Sequence, residues 1–194
     1  MDSFIQIVFL IFICALFESE ATCPNIISRE EWGAIRPTEK HLFLVRPVPF
    51  VVIHHSDTLG CNTTQQCKER IKKLQLQNMS ILGSHLHDIR YHFMIGGDGN
   101  IYQGRGWDNK GAHVKTYNSR SIGISVMGHY ENEPPSAAQM EALENLLKCG
   151  VQTKKIAPDY RLIAHRQANS QRNCPGEALF ELIKKMHHWD PTLK

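Results

Sequence analysis

His54 and His55 close the run Pro49-Phe50-Val51-Val52-Ile53-His54-His55-Ser56, and far along the chain His165 closes Leu162-Ile163-Ala164, with Cys174-Pro175-Gly176 beginning nine positions later. Two imidazoles and a thiolate are the donor set of a catalytic zinc site, three protein ligands with the fourth position open. A lone histidine at a strand end is more simply a hydrogen-bonded ring. The weight therefore rests on the recurrence: twice, a short apolar run ends in histidine, and the second time a thiol follows closely.

Such a set needs rigid elements behind it. Phe50 to His55 is rich in β-branched residues and reads as a strand buried on both faces. Alternation allows only one of His54 and His55 to face a given side. Arg161 to Ala164 reads as a second short strand, delivering His165. Around these, Thr64 reads as the N-cap of a helix with Cys67, Ile71 and Leu74 on one face. Tyr91 to Ile95 and Ile101 to Arg105, separated by Gly96-Gly97-Asp98-Gly99-Asn100, form a hairpin pattern. Ser121 to Met127 returns as a strand. Ser136 with Gln139 makes a capping box ahead of Met140, Leu143, Leu146, Leu147 and Val151 at helical spacing. Leu179, Leu182, Ile183 and Met186 mark a last helix, and Ile26 to Trp32 a capped turn that packs Trp32 on the body. Strands alternating with helices predict an α/β domain around a mixed sheet.

The 194 residues suit one domain. Phe4 to Phe17 is almost unbroken apolar sequence followed by Ser19-Glu20-Ala21, which predicts a secretory signal peptide over residues 1–21 and a mature domain over 22–194. The run is shorter than the ~20 residues of a spanning helix, so no transmembrane anchor is expected. Losing Asp2, Glu18 and Glu20 with no Lys or Arg raises the formal charge of +3 by three. A basic balance suits anionic partners, and the absence of Lys/Arg-rich blocks argues against nucleic acid. The mature chain keeps Cys23, Cys61, Cys67, Cys149 and Cys174, an odd number for an oxidising compartment. Cys61 and Cys67 are the natural local pair, Cys23 can tie the N-terminus to Cys149, and Cys174 is left over beside its histidine. Asn62 and Asn78 head N-glycosylation sequons. With no His-Glu-x-x-His helix and no nucleophilic serine motif, a protease is disfavoured.

Ser28-Arg29-Glu30-Glu31-Trp32-Gly33, Val52 to Ser56, Asp88 to Phe93, Gly97-Asp98-Gly99, Gly111-Ala112-His113, Ser121 to Ile124 and the stretch from His165-Arg166-Gln167 to Cys174-Pro175-Gly176 together, and in this order, resemble the short secreted peptidoglycan recognition proteins of animals. The resemblance implies a central mixed sheet flanked by about three helices, a domain shared with N-acetylmuramoyl-L-alanine amidases, and a peptidoglycan-binding groove. Members with a His, His, Cys zinc set hydrolyse the amide between the lactyl group of N-acetylmuramic acid and L-alanine; those lacking the cysteine only bind and signal. By position, the ligands of Zn²⁺ here are His54, His165 and Cys174, with the Tyr91 hydroxyl beside the metal as an oxyanion stabiliser and His55 turned away. His113, Tyr117 and Asn118 resemble groove-lining positions. Gly106-Trp107 and Arg120 resemble the positions that favour stem peptides of the diaminopimelic acid type. Three departures stand out: Arg172 where the family has Thr or Lys, a gap of nine instead of eight between His165 and Cys174, and Thr116 where glycine is usual. A secreted zinc amidase of innate immunity is thus the expected function, with a non-catalytic peptidoglycan receptor as the alternative.

Overall fold

The computed structural model describes residues 23–39, 42, 44–80, 82–83 and 85–193, so the leader expected over residues 1–21 lies outside the described residues. Six strands form one mixed sheet: β1 (Ile26–Ile27), β2 (Val48–His55), β3 (Phe93–Ile95), β4 (Ile101–Gln103), β5 (Ser121–Val126) and β6 (Ile156–Ala164), in the order β1-β4-β3-β5-β2-β6. The hairpin β3–β4 is antiparallel, and β2 lies between two parallel neighbours, β5 and β6. Among the described residues four helices accompany the sheet: α1 (Thr64–Met79), α2 (Ala137–Gln152), α3 (His165–Ala168) and α4 (Glu177–Ile183).

Period-two alternation divides β2 between two layers. Val51 and Ile53 pack with Leu143 and Leu146 of α2 and with Leu179 and Ile183 of α4. Phe50 and Val52 face the other way, against Val114 and Tyr117, and His54 continues that set. On the α1 side, Cys67 and Ile71 pack with Trp32, Met94 and Tyr102. Trp32 is buried as the sequence suggests, its indole N–H donating to the Gln103 carbonyl at 2.8 Å. The bridges Cys23–Cys149 and Cys61–Cys67 form, and Cys174 is the free cysteine among the described residues.

Several boundaries differ from the sequence reading. The N-cap of α1 is Thr63, whose hydroxyl accepts from Gln66 N, with Thr64 as the first helical residue. The strand expected from Arg161 begins at Ile156, because Pro158 and Asp159 are exposed edge residues that weaken the pattern without ending the strand. β1 has two residues and α3 a single turn, both too short to leave a periodic signal. The Ser136–Gln139 capping box of α2 is present. Asn78, head of the second sequon, is packed inside, its carboxamide oxygen accepting from Arg90 N at 3.2 Å and Arg90 Nε at 3.3 Å. Among the described residues no helix is long and apolar enough to cross a membrane.

Candidate metal centre

Strand register brings the two expected histidine ligands together. Ile53 of β2 pairs with Ala164 of β6, so the next residue on each strand, His54 and His165, emerges at the same parallel edge. Their ring centroids are 4.5 Å apart. The loop after α3 then carries Cys174 to this edge, where His55 N donates to its sulfur at 3.4 Å. Arg166 clamps that loop: its backbone N–H donates to Cys174 O at 2.8 Å, and its guanidinium reaches Asn173 O at 3.0 Å, Asn173 Oδ1 at 2.7 Å and Glu177 Oε2 at 2.5 Å. Gly176 completes the turn at φ +88°, and a side chain there would collide with the Tyr130 carbonyl, 2.3 Å from a Cβ.

The donor atoms of His54, His165 and Cys174 all lie within 4.8 Å of one another. Zinc bonds of about 2.3 Å to sulfur and about 2.0–2.1 Å to nitrogen at a tetrahedral angle separate S from N by about 3.6 Å. Cys174 Sγ and His54 Nδ1 are 3.7 Å apart, so these residues fit the ion the donor set implies. Burial, reinforced by His113, His165 and Arg90, holds His54 neutral far below the ordinary imidazole value. Burial and then Arg172 push His165 down to about 4. Burial pushes the Cys174 thiol up to about 12, against the opposing hydrogen bond from His55. Both imidazoles are thus neutral donors at pH 7, and the sulfur sheds a proton only to a cation.

Behind His54 a hydrogen-bond chain settles which nitrogen faces the sulfur. Ser121 Oγ lies 2.8 Å from the Tyr117 carbonyl, which accepts only, so the hydroxyl proton points there. The same oxygen therefore accepts from His113 Nε2 at 3.3 Å. A neutral His113 then has a bare Nδ1, which accepts His54 Nε2–H at 3.0 Å. This leaves the lone pair of His54 on Nδ1, the atom aimed at Cys174. His113 is buried and fits because Gly123 has no side chain: a Cβ there would stand 2.5 Å from His113 Cγ and Cδ2. Asn118 Oδ1 holds the His113 loop by accepting from His113 N and Val114 N, both at 2.8 Å.

Tyr91 is buried with its ring centroid 5.1 Å from that of His54. Burial, together with the neighbouring Cys174, raises its phenol well above the ordinary value, so it stays a proton donor. A cleft of about 580 Å³ opens over the site, lined among others by Tyr91, His113, His165, Arg172 and Cys174. Beneath it the face of β2 runs back past Val52 to Phe50, covered by Val114 and Tyr117, four residues or ~13 Å from His54. There Arg120 lies over the rings of Tyr117 at 4.7 Å and Phe50 at 5.0 Å. Trp107 is placed apart from this surface, its ring 4.4 Å from Phe93 in the layer covered by α2, with Gly106 at φ +68° beside it; of the expected groove residues His113 lines the cleft, and Gly106, Trp107, Tyr117, Asn118 and Arg120 do not.

Sequence reasoning missed one group. His55 turns away from His54, as expected, but its ring stacks at 5.7 Å on His129, whose Nδ1 is 2.6 Å from Asp57 Oδ1. The parallel register of β2 and β5, His55 opposite Val126, brings these loops together, and no spacing along the chain signals it.

Comparison with known proteins agrees with this geometry. The family model described as N-acetylmuramoyl-L-alanine amidase matches residues 44–177. The chain is 38% identical over 174 residues to a peptidoglycan recognition protein of Bombyx mori, covering 90% of this chain and 86% of that one. It is 38% identical over 171 residues to peptidoglycan-recognition protein SA of Drosophila melanogaster, covering 88% and 82%. A crystal structure of peptidoglycan recognition protein-LE in complex with tracheal cytotoxin, a monomeric diaminopimelic acid-type peptidoglycan, matches with TM-score 0.83 and 39% identity over 86% of this chain and 96% of that one.

Proposed function

The chain belongs to the peptidoglycan recognition proteins, built on the N-acetylmuramoyl-L-alanine amidase domain, and from that premise we propose that it is a secreted zinc-dependent amidase. Its substrate is bacterial peptidoglycan, and the bond cleaved is the lactyl-L-alanine amide. The observation that carries this reading is the 3.7 Å between Cys174 Sγ and His54 Nδ1, with His165 within the same 4.8 Å cluster. A free thiol and two neutral imidazoles arranged in this way are suited to holding a metal, which supports the enzyme over a receptor that merely keeps the ion.

His54, His165 and Cys174 would hold the zinc ion, which would supply Lewis acidity for an amide carbonyl and for water. The chain's own groups do the rest. Tyr91, kept protonated by its burial, donates a hydrogen bond to the oxyanion that develops on the carbonyl. His113 and Ser121 keep His54 in one tautomer and one orientation. The glycan-proximal amide lies at the cleft, and the stem peptide extends toward the exposed Arg120 over the layer in which Val114 and Tyr117 cover Phe50 and Val52. The Arg120 guanidinium pairs with the additional carboxylate of a diaminopimelic acid stem. A fork of that shape suits that carboxylate, which a lysine-type stem lacks.

Arg172 favours a second reading. A guanidinium is a permanent cation and not a proton shuttle, so the position where the family has Thr or Lys contributes charge alone. A chain that binds and does not cleave would tolerate this. Peptide release from purified diaminopimelic-type and lysine-type peptidoglycan, with zinc, with a chelator and with Cys174→Ser, separates the two. Release that needs both zinc and Cys174 establishes the amidase; tight binding without release in any condition leaves a recognition protein.

A further inference from the structure

A second cluster of metal-ligating side chains stands at the same sheet edge, outside the set just described. His55, Asp57 and His129 each place one donor atom within 4.8 Å of the other two. His55 is 7% exposed, and its Nδ1 is a buried nitrogen without a hydrogen-bond partner. An unpartnered buried ring nitrogen costs free energy unless something occupies its lone pair. His129 and Asp57, by contrast, are exposed and reachable from solvent. Asp57 sits at φ 54°, a left-handed backbone that side chains other than glycine rarely adopt, and that turn swings its carboxylate against His129. The loops are tied together beneath the cluster: Ser56 N to Val126 O at 3.0 Å, Asp57 N to Gly128 O at 3.0 Å, and Gly128 N to Ser56 Oγ at 2.9 Å. These bonds fix the three donors relative to one another before any ligand arrives.

We propose that His55, Asp57 and His129 form a second divalent transition-metal site, distinct from the cysteine site and open to the cleft. Two imidazoles and one carboxylate suit zinc, copper or nickel far better than magnesium or calcium, which prefer oxygen. Three donors leave positions for water or for a substrate oxygen. The site has no thiolate and is mostly exposed, so it binds more weakly than the cysteine site and fills second. It stands whether or not the chain is an amidase, because none of its ligands is shared with the first set. Both line one cleft, which also contains Glu131, so a cation there adds positive charge where an anionic stem peptide approaches.

The test is metal stoichiometry by equilibrium dialysis against Zn²⁺, with Co²⁺ absorption as a spectroscopic probe. The wild-type chain is expected to bind two ions. Cys174→Ser keeps one, without a thiolate-to-cobalt charge-transfer band. His129→Gln and Asp57→Asn each also keep one, with that band intact, which certifies that these variants are folded around the cysteine site. The double variant Cys174→Ser/His129→Gln binds none. A wild-type stoichiometry of one that is unaffected by His129→Gln, or a Cys174→Ser variant that binds none, overturns the proposal and reduces His129–Asp57 to a surface ion pair.

Discussion

Acidifying the zinc-free chain from pH 7.5 to pH 5.5 is expected to cost roughly 3 kcal/mol of folding stability from two residues alone. His54 and His113 are buried imidazoles held well below their ordinary value of 6.5, for both through burial first and neighbouring positive groups second. In the unfolded chain each titrates near 6.5. A histidine whose folded value is depressed gives no penalty above the unfolded value. Below it the unfolded state takes up a proton that the folded state refuses, so stability falls as pH drops through 6.5 and goes on falling until the folded value is reached. Over the window from 7.5 to 5.5 the unfolded state gains a factor of about 10 per group, or about 1.4 kcal/mol each. The size depends only on the unfolded value so long as the folded one lies below 5.5. His165, held at about 4, adds in the same direction, discounted because its ring is partly exposed. Against a total of about 5–15 kcal/mol this is a large fraction. The assay is urea denaturation at the two pH values, with chelator present. His113→Asn, which removes one of the two groups, should flatten the pH dependence by about 1.4 kcal/mol relative to wild type. A wild-type midpoint that does not move between pH 7.5 and 5.5 would refute the burial argument and with it the neutral donor set.

The remaining predictions follow from the same geometry. Zinc binding at pH 7.5 should release about one proton, because the imidazoles are already neutral and the Cys174 thiol is not ionised; the dependence of binding heat on buffer ionisation enthalpy measures it, and Cys174→Ser should abolish it. Gly123→Ala should push His113 out of its slot, lowering zinc affinity by about 10–100-fold in a chelator competition. Tyr91→Phe should reduce hydrolysis by about 10²–10³-fold while leaving zinc affinity unchanged, and a loss of metal instead would assign the ring to packing. Arg120→Ala should weaken binding to diaminopimelic-type peptidoglycan about tenfold or more and leave the lysine type nearly unaffected, as read by pull-down on the two polymers.

What the sequence disclosed, and what it withheld, follows the range of the interactions. His54 and His165 are legible because each lies at the C-terminal end of an apolar strand, and Cys174 because it is the odd cysteine closely following the second of them. The two disulfides are legible because five cysteines, two of them six residues apart, leave few sensible pairings. The role of His113 is not legible in this way. The sequence reading makes it a groove-lining residue, and it does line the cleft, but its ring is also a link between His54 and Ser121, 59 residues from the first of these. That role depends on the direction of a hydroxyl proton, which only the Tyr117 carbonyl fixes. Asp57 and His129 are 72 residues apart and meet through strand register, so nothing local marks them. The Gly106-Trp107 pair resembles groove positions only by likeness to the family, and packing against Phe93 sets Trp107 in the α2 layer.

The departures in the last loop are resolved by the same distinction between what is set by register and what is set by spacing. A nine-residue gap between His165 and Cys174 looks like a threat to ligand geometry only if the loop determines where the sulfur goes. The sulfur is instead positioned from its far side: Arg166 binds the backbone at Cys174 and Asn173, Gly176 lets the chain pass the Tyr130 carbonyl, and His55 N meets the sulfur itself. These contacts tie the first turn of the segment, at Arg166, directly to its last residues, Asn173 and Cys174, and leave the residues between them free of the sulfur's placement. The additional residue can therefore be absorbed in the turn where Asn169 O accepts from Arg172 N, and the segment from Asn169 to Asn173 is exposed throughout. Loop closure makes such an insertion thermodynamically mild. The change that matters is then one of charge, not of distance: Arg172 lines the cleft with a fixed cation next to His165, which helps to keep that imidazole neutral and meets an anionic substrate at the mouth of the site.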